Sequence, residues 1–499
     1  MNLIDTLKPL RAHGGAQRSP GLDDATLLRF AQTHPELRQA VDNAAAEYER
    51  IKGDFADLLD QDEDAQVHAV QAGYINFYPD DAVNPYVALS ASGPWVVTLK
   101  GAVLHDSGGY GMLGFGHAPP AVLEALAKPQ AMANIMTPSL SQLRFDRLLR
   151  SAIGGGRGGC PYEKFLCLNS GSESVTLAGR ICDVNTKLMT DPGAAHEGRK
   201  VKRIAVRGAF HGRTELPAFY SESSRKTYAQ HLGSWRHHDG QLIVIDPYSV
   251  EQLEQAFADA EREGWHIEAM FLEPVMGEGD PGRGVPPAFY EAARRLTREH
   301  GTLLLVDSIQ AGLRAHGVLS IIDYPGFEKM DAPDMETFSK ALNAGQYPLS
   351  VLAVGERAAG LYKKGLYGNT MTTNPRALDV ACTVLSQVTP ALRENIRARG
   401  AEALERLEKL KDECGGLITK VQGTGLLFSC ELDKRFKCYG ANSTEEWLRE
   451  RGIGVIHGGT NSLRFTPTFT ITSAEIELLV GMVGRALREG PGAQQAEAA

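Results

Sequence analysis

TLLLVDSIQAG, residues 302–312, is the stretch whose reading decides the fold. Its apolar run is what a strand buried on both faces requires, and such strands belong to parallel sheets covered by helices on either side. The run stops at Asp307, Ser308 and Gln310, polar residues at a strand's carboxyl end, where open α/β sheets bind their ligands.

Reading outward, the same alternation recurs. KFLCLNS reads as a strand and SESVTLAGRICDVNTKLM as a helix; RIAVRG and LIVIDP read as strands, followed by a helix over SVEQLEQAFADAERE. IEAMFLEPV, the helix PPAFYEAARRLTREHG and TLLLVDS complete the series. The implied class is α/β, a mostly parallel central sheet covered by helices. A long helical stretch is expected from about 374 to Glu413, then a smaller α+β region through LITKVQGTGLLFSCEL, IGVIH and LRFTP. We therefore expect a helical extension over 1–80, a lead-in over 81–150, a large domain over 151–375 and a small domain over 376–499, with a frayed tail.

Bulk properties narrow the function. With 499 residues, more than one domain is expected. A formal charge of -9 argues against nucleic acid or an anionic membrane as the main partner. The seven cysteines are scattered without metal spacing, and their odd number argues against a disulfide framework. The N-terminus lacks the apolar run of a signal peptide, and no segment has the apolar length of a bilayer span. A soluble, cytoplasmic enzyme is the expectation.

Chemistry is sought at the strand ends NSGSES, GAFHGRT, EPVMGEG and DSIQAG. Small residues opening a helix at Gly171 and Ser172 expose N–H groups that suit a phosphate, although an ordinary Gly–Ser turn looks the same. Asp307 reads either as a turn aspartate or as a buried anion keeping a heterocyclic nitrogen protonated. Lys340, in METFSKALNAG, is one of 52 basic side chains, but small neighbours and the upstream aspartate-ended strand set it apart. A desolvated lysine can lose its proton and attack a carbonyl.

Together GHAPP, NSGSES, AFHGRT, EPVMGEG with DSIQAG, SKALNAG, GNTMTTNP at 368 and LRFTPTFTIT at 463 resemble the class III aminotransferases, which are pyridoxal-phosphate enzymes of fold type I. The resemblance covers roughly residues 90–490 and is nearest the ornithine, acetylornithine and 4-aminobutyrate group. It implies pyridoxal 5'-phosphate as cofactor and Lys340 as the Schiff-base lysine and general acid/base. It implies Asp307 at the pyridinium nitrogen, Gln310 near the ring hydroxyl, and Phe210 and Ile309 on the two ring faces. Gly171 and Ser172 would hold the phosphate, joined by Thr370 of a second copy, hence a homodimer with shared active sites. On the substrate side it implies Arg213, Glu273, Glu278 and Arg464, with Glu278 pairing Arg464 until the keto acid enters. The reaction would be ping-pong transfer from an amine or ω-amino acid to a 2-oxo acid such as 2-oxoglutarate.

The chain also departs from the pattern. Ser308 stands where the family usually has glutamate, the segment from Gln310 to Lys340 is longer, and NAGQYPLS is less glycine-rich. Racemase, aminomutase or decarboxylase chemistry and a non-catalytic assembly subunit therefore stay open as alternatives. A nicotinamide oxidoreductase does not, because no strand leads into Gly-x-Gly-x-x-Gly.

Overall fold

The computed structural model describes residues 2–238 and 240–493, and these fall into two compact units, one within 124–397 and one of 2–123 with 398–493. Part of the tail expected to fray, residues 494–499, lies outside the described residues.

The 124–397 unit is built on a seven-stranded sheet. Across it the strands run Lys164–Leu168, Ser350–Val354, Met335–Phe338, Leu303–Asp307, Trp265–Leu272, Lys200–Val206 and Leu242–Ile245. Leu303–Asp307 lies at the centre with all five residues buried, as its apolar run demands. Pairings are parallel except those of Ser350–Val354, which runs antiparallel to both neighbours. The alternation of strands and helices did not foretell that strand. The link from Phe338 to Ser350 is too short for the helical crossover that a parallel pair needs, so the chain doubles back.

Helices cover the sheet because their apolar spacing gives each one a buried stripe. Gly171–Thr190 buries Val175, Ala178 and Ile181 in one core with Phe271, Leu305 and Leu352. It begins where Ser170 accepts from the Glu173 N–H while the Glu173 side chain reaches back. Val250–Glu263 is capped by Ser249 and ends at Gly264 in the left-handed conformation. The helical stretch expected from 374 is two helices, Pro375–Gln387 and Pro390–Glu413, broken just before Pro390.

In the other unit, helices Leu3–Arg11, Asp24–Phe30, Pro35–Ile51, Ala56–Leu59 and Glu63–Gln71 precede two four-stranded sheets. One combines Ala88–Ser92, Trp95–Thr98 and Val103–Asp106 with Ile453–Gly454; the other is the antiparallel set of Ile418–Thr424, Leu427–Leu432, Ser462–Phe465 and Ile456–Gly458. Pro35 opens its helix at the first turn, where a missing N–H is harmless. Buried Glu475 receives His105 Nε2 at 3.1 Å and His34 Nε2 at 3.3 Å, joining helix Ser473–Glu489 to the N-terminal helices.

Candidate active site

The strand Met335–Phe338 delivers Lys340 two residues past its end, in the left-handed region with φ 50°. Its Nζ donates to Gln310 Oε1, so the two loops after neighbouring strands meet at this pair. The buried Gln310 Nε2 has no hydrogen-bond partner among the described residues. Gly277 packs against the Gln310 stem, where a Cβ would come within 2.6 Å of Cγ.

Asp307, 4% exposed, receives His211 Nδ1 at 2.9 Å on Oδ2 and the Ile309 N–H at 3.2 Å on Oδ1. An N–H donated from the imidazole to Oδ2 fixes the orientation of the carboxyl group. His211 was not singled out from the sequence, where it reads as filler between Phe210 and Arg213 in AFHGRT. The signal available was its position beyond a strand end.

Glu273 is buried, and both its oxygens are engaged by backbone: the Phe210 N–H at 3.1 Å and the Gly277 N–H at 2.8 Å. Burial pushes its carboxyl up to about 7, with His211 opposing and Asp307 adding to the rise. The resemblance implies a substrate role for Glu273; in this geometry it ties two loops together. Half-buried Phe210 carries the Arg213 guanidinium 5.2 Å above its ring. Arg213 Nη2 lies 3.9 Å from Glu278 Oε1. Arg464 is a buried residue of the strand Ser462–Phe465 in the other unit.

The phosphate candidates sit at the first turn of the 20-residue helix Gly171–Thr190. A Cβ on Gly171 would lie 2.5 Å from Ile309 Cδ1. Gly212, at φ 116°, approaches Ser172 so closely that a Cβ would lie 2.5 Å from its Oγ. Thr370 is exposed, and Asn369 beside it donates to Glu173 Oε1 at 3.0 Å, tying that loop to the helix cap. Seven of the sequence-derived residues thus adjoin one another: Lys340 with Gln310, Asp307 with Ile309, Ile309 with Gly171, and Phe210 with Arg213.

This set fits pyridoxal phosphate. It offers an amine, a buried carboxylate held by an imidazole, an amide with a spare donor, and a helix N-terminus kept open by glycines.

Beside Asp307, Ser308 Oγ donates to Glu336 Oε1 at 2.5 Å. Glu336 is fully buried and also receives Tyr162 OH at 2.5 Å, the Ile321 N–H at 2.9 Å and Ser320 Oγ. Burial raises its carboxyl above the ordinary range, against the pull of Ser308, Ser320 and Tyr162.

Residues 77–487 match the family model of the class-III aminotransferases. The acetylornithine aminotransferase of Neisseria meningitidis serogroup B is 28% identical over 408 residues, 80% of this chain and 93% of its own length. Ornithine aminotransferase 2 of Staphylococcus aureus is 27% identical over 401 residues, 79% of this chain and 92% of its own. Among solved structures, the ornithine aminotransferase of Toxoplasma gondii superposes with a TM-score of 0.69 at 23% identity, covering 87% of this chain and 97% of that one. A transaminase from the marine bacterium Virgibacillus gives 0.71 at 19% identity, covering 86% and 99%. These likenesses show the fold, and the family match over most of the chain gives its chemistry: the protein belongs to the class-III aminotransferases and is a pyridoxal-phosphate-dependent aminotransferase of fold type I.

Proposed function

We propose that this enzyme moves an amino group from an ω-amino acid or simple diamine donor to 2-oxoglutarate, in two half-reactions at one site. The observation that carries the reading is Lys340, delivered by its strand onto Gln310 in a loop cluster that also holds Asp307 and Phe210. Lys340 would carry the cofactor and, once displaced by the donor, take the proton from the amine-bearing carbon and return it. Pyridoxal phosphate, when bound, supplies the electron sink that makes that carbon acidic. Asp307 would keep the ring nitrogen protonated, with Gln310 at the ring hydroxyl and Phe210 and Ile309 on either face. Gly171 and Ser172 would receive the phosphate at the helix N-terminus.

Arg213 would bind a substrate carboxylate, and its approach to Glu278 supports that role: an internal carboxylate neutralises the guanidinium until substrate replaces it. Arg464 would hold the α-carboxylate of 2-oxoglutarate. The relatives named for ornithine and acetylornithine point to donors with an amine distant from the carboxylate.

The proposal includes a homodimer with shared sites, each copy lending Thr370. Exposed apolar residues support it. Met132 and Met136 flank Ile135, whose N–H donates to Thr370 O, and Met371 follows directly, all of them solvent-facing in one copy. A cytoplasmic location agrees with seven free cysteines. Among the described residues no helix is long and apolar enough to cross a membrane.

The test is the visible absorbance of the protein loaded with pyridoxal phosphate, beside its Lys340→Ala variant. Glutamate, ornithine, 4-aminobutyrate and diamines are added in turn. A band lost in the variant, bleached by an ω-amine donor and recovered with 2-oxoglutarate is expected. Bleaching that no keto acid reverses would overturn the acceptor, and a wild type that takes up no cofactor would overturn the role of Lys340.

A further inference from the structure

We infer that Glu336 is a positioning residue for the cofactor site, supplying from the adjacent strand the carboxyl that the family usually carries at position 308. The inference rests on the roles proposed above for Asp307 and Lys340.

The register makes it possible. Leu303–Asp307 pairs in parallel with Met335–Phe338 so that Val306 faces Glu336 and Asp307 faces Thr337. Side chains alternate along a strand, so Glu336 and Ser308 fall on the face opposite Asp307. There Ser308 is fastened twice, by its N–H to Thr337 O at 3.0 Å and by its hydroxyl to Glu336 at 2.5 Å. The same carboxyl collects Tyr162, Ser320 and the Ile321 N–H, so three separate segments converge on one buried group.

Two features separate this from ordinary core polarity. First, burying a carboxyl costs several kcal/mol unless its oxygens are fully engaged, so four donors around one side chain mark a built site. Second, its placement is specific. Glu336 lies on the strand that leads to Lys340, four residues before it, and holds the residue directly after Asp307. Ser308 bonds neither Tyr162 nor Ile321 itself; through the Glu336 carboxyl its hydroxyl is linked to both. Glu336 thereby holds the distance between the strand ends that carry the proposed ring-nitrogen anion and the proposed attachment lysine.

The experiment uses the full chain loaded with pyridoxal phosphate and reads three quantities: the pH midpoint of the visible band, kcat against KM, and the melting temperature. Glu336→Gln is expected to move the band midpoint by more than half a pH unit. It should lower kcat at least tenfold while leaving donor KM within about threefold, the signature of a misplaced reacting group rather than lost binding. Ser308→Ala, which removes one of four donors, should shift the midpoint in the same direction by less. Ser308→Glu combined with Glu336→Met should return the midpoint toward wild type. A Glu336→Gln protein that melts earlier but keeps the wild-type midpoint and kcat would overturn the positioning role and leave Glu336 a structural residue. If the double variant does not fold, an unmoved midpoint in Ser308→Ala overturns the proposal by itself. A wild type without a visible band would overturn both this inference and the reading on which it rests, whereas a band with an unmoved midpoint overturns this inference alone.

Discussion

His211 Nδ1 stands 2.9 Å from Asp307 Oδ2, and both side chains are almost wholly removed from water. A carboxylate in that position needs a donor on its far side if it is to present a fixed oxygen to a ring nitrogen. His211→Asn is therefore expected to keep the cofactor but lower kcat by about tenfold to a hundredfold, the weight of one hydrogen bond to a charged group at roughly 1.5–3 kcal/mol. Steady-state kinetics beside a bound-cofactor titration checks it. Unchanged kcat would mean that Asp307 is held by its strand and the Ile309 N–H alone.

Glu273 makes stability fall as pH rises toward neutrality. Its carboxyl titrates near 7 in the folded protein against about 4.5 unfolded, so the folded state holds the extra proton between those values. Stability attributable to it is intact below about pH 4.5 and declines up to about pH 7, by on the order of 3 kcal/mol across the window. Glu273→Gln should flatten that slope. Urea midpoints at intervals from pH 5 to 8, wild type minus variant, measure it; parallel curves would rule out a raised carboxyl.

The Glu475 cluster acts on both sides of neutrality. Burial alone would raise Glu475, but hydrogen bonds from His105 and His34 outweigh it and hold the carboxyl below its ordinary range. His34 is raised above 6.5, chiefly by its bond to Glu475. The depressed carboxylate contributes stability above about pH 4.5 that disappears on acidification through its folded value. The raised imidazole contributes below about pH 6.5 and loses that contribution as pH climbs through its folded value. The cluster is thus fully effective between about pH 5 and 6.5. Glu475→Gln should cost about 3 kcal/mol there, and His34→Gln should remove the alkaline decline. Unfolding midpoints from pH 3 to 9 provide the comparison.

Gly212→Ala should weaken cofactor retention without touching a reacting group. A Cβ there meets Ser172 Oγ at 2.5 Å from a backbone at φ 116°, so either the loop shifts or the helix N-terminus does. We expect a loss of roughly 1–3 kcal/mol in stability and a similar weakening, about tenfold or more, in pyridoxal phosphate affinity. Equilibrium dialysis measures the second; wild-type affinity in the variant would place the phosphate elsewhere.

Much of this was legible in the chain. The apolar run ending at Asp307 announces a central buried strand, and Lys340 stands out once that strand is recognised. Glu336 was not legible, because METF reads as a short strand with a polar residue of no stated purpose. Its meaning depends on the register with Ser308, a fact of pairing between strands rather than of either strand alone. His211 was hidden in the same way, its partner lying 96 positions away. Ser350–Val354 gives no local sign of direction, since antiparallel and parallel buried strands share one apolar pattern.

The bond from Asn369 to Glu173 has a consequence for the proposed homodimer. Glu173 closes the cap of the helix proposed to receive one copy's phosphate, while the residue after Asn369 is the threonine proposed to reach into the other copy's site. In such a pair, each protomer would feel the filling of its own site at the very loop it extends to its neighbour. Cofactor uptake by the two halves would then be cooperative, with a single amide as the lever between them.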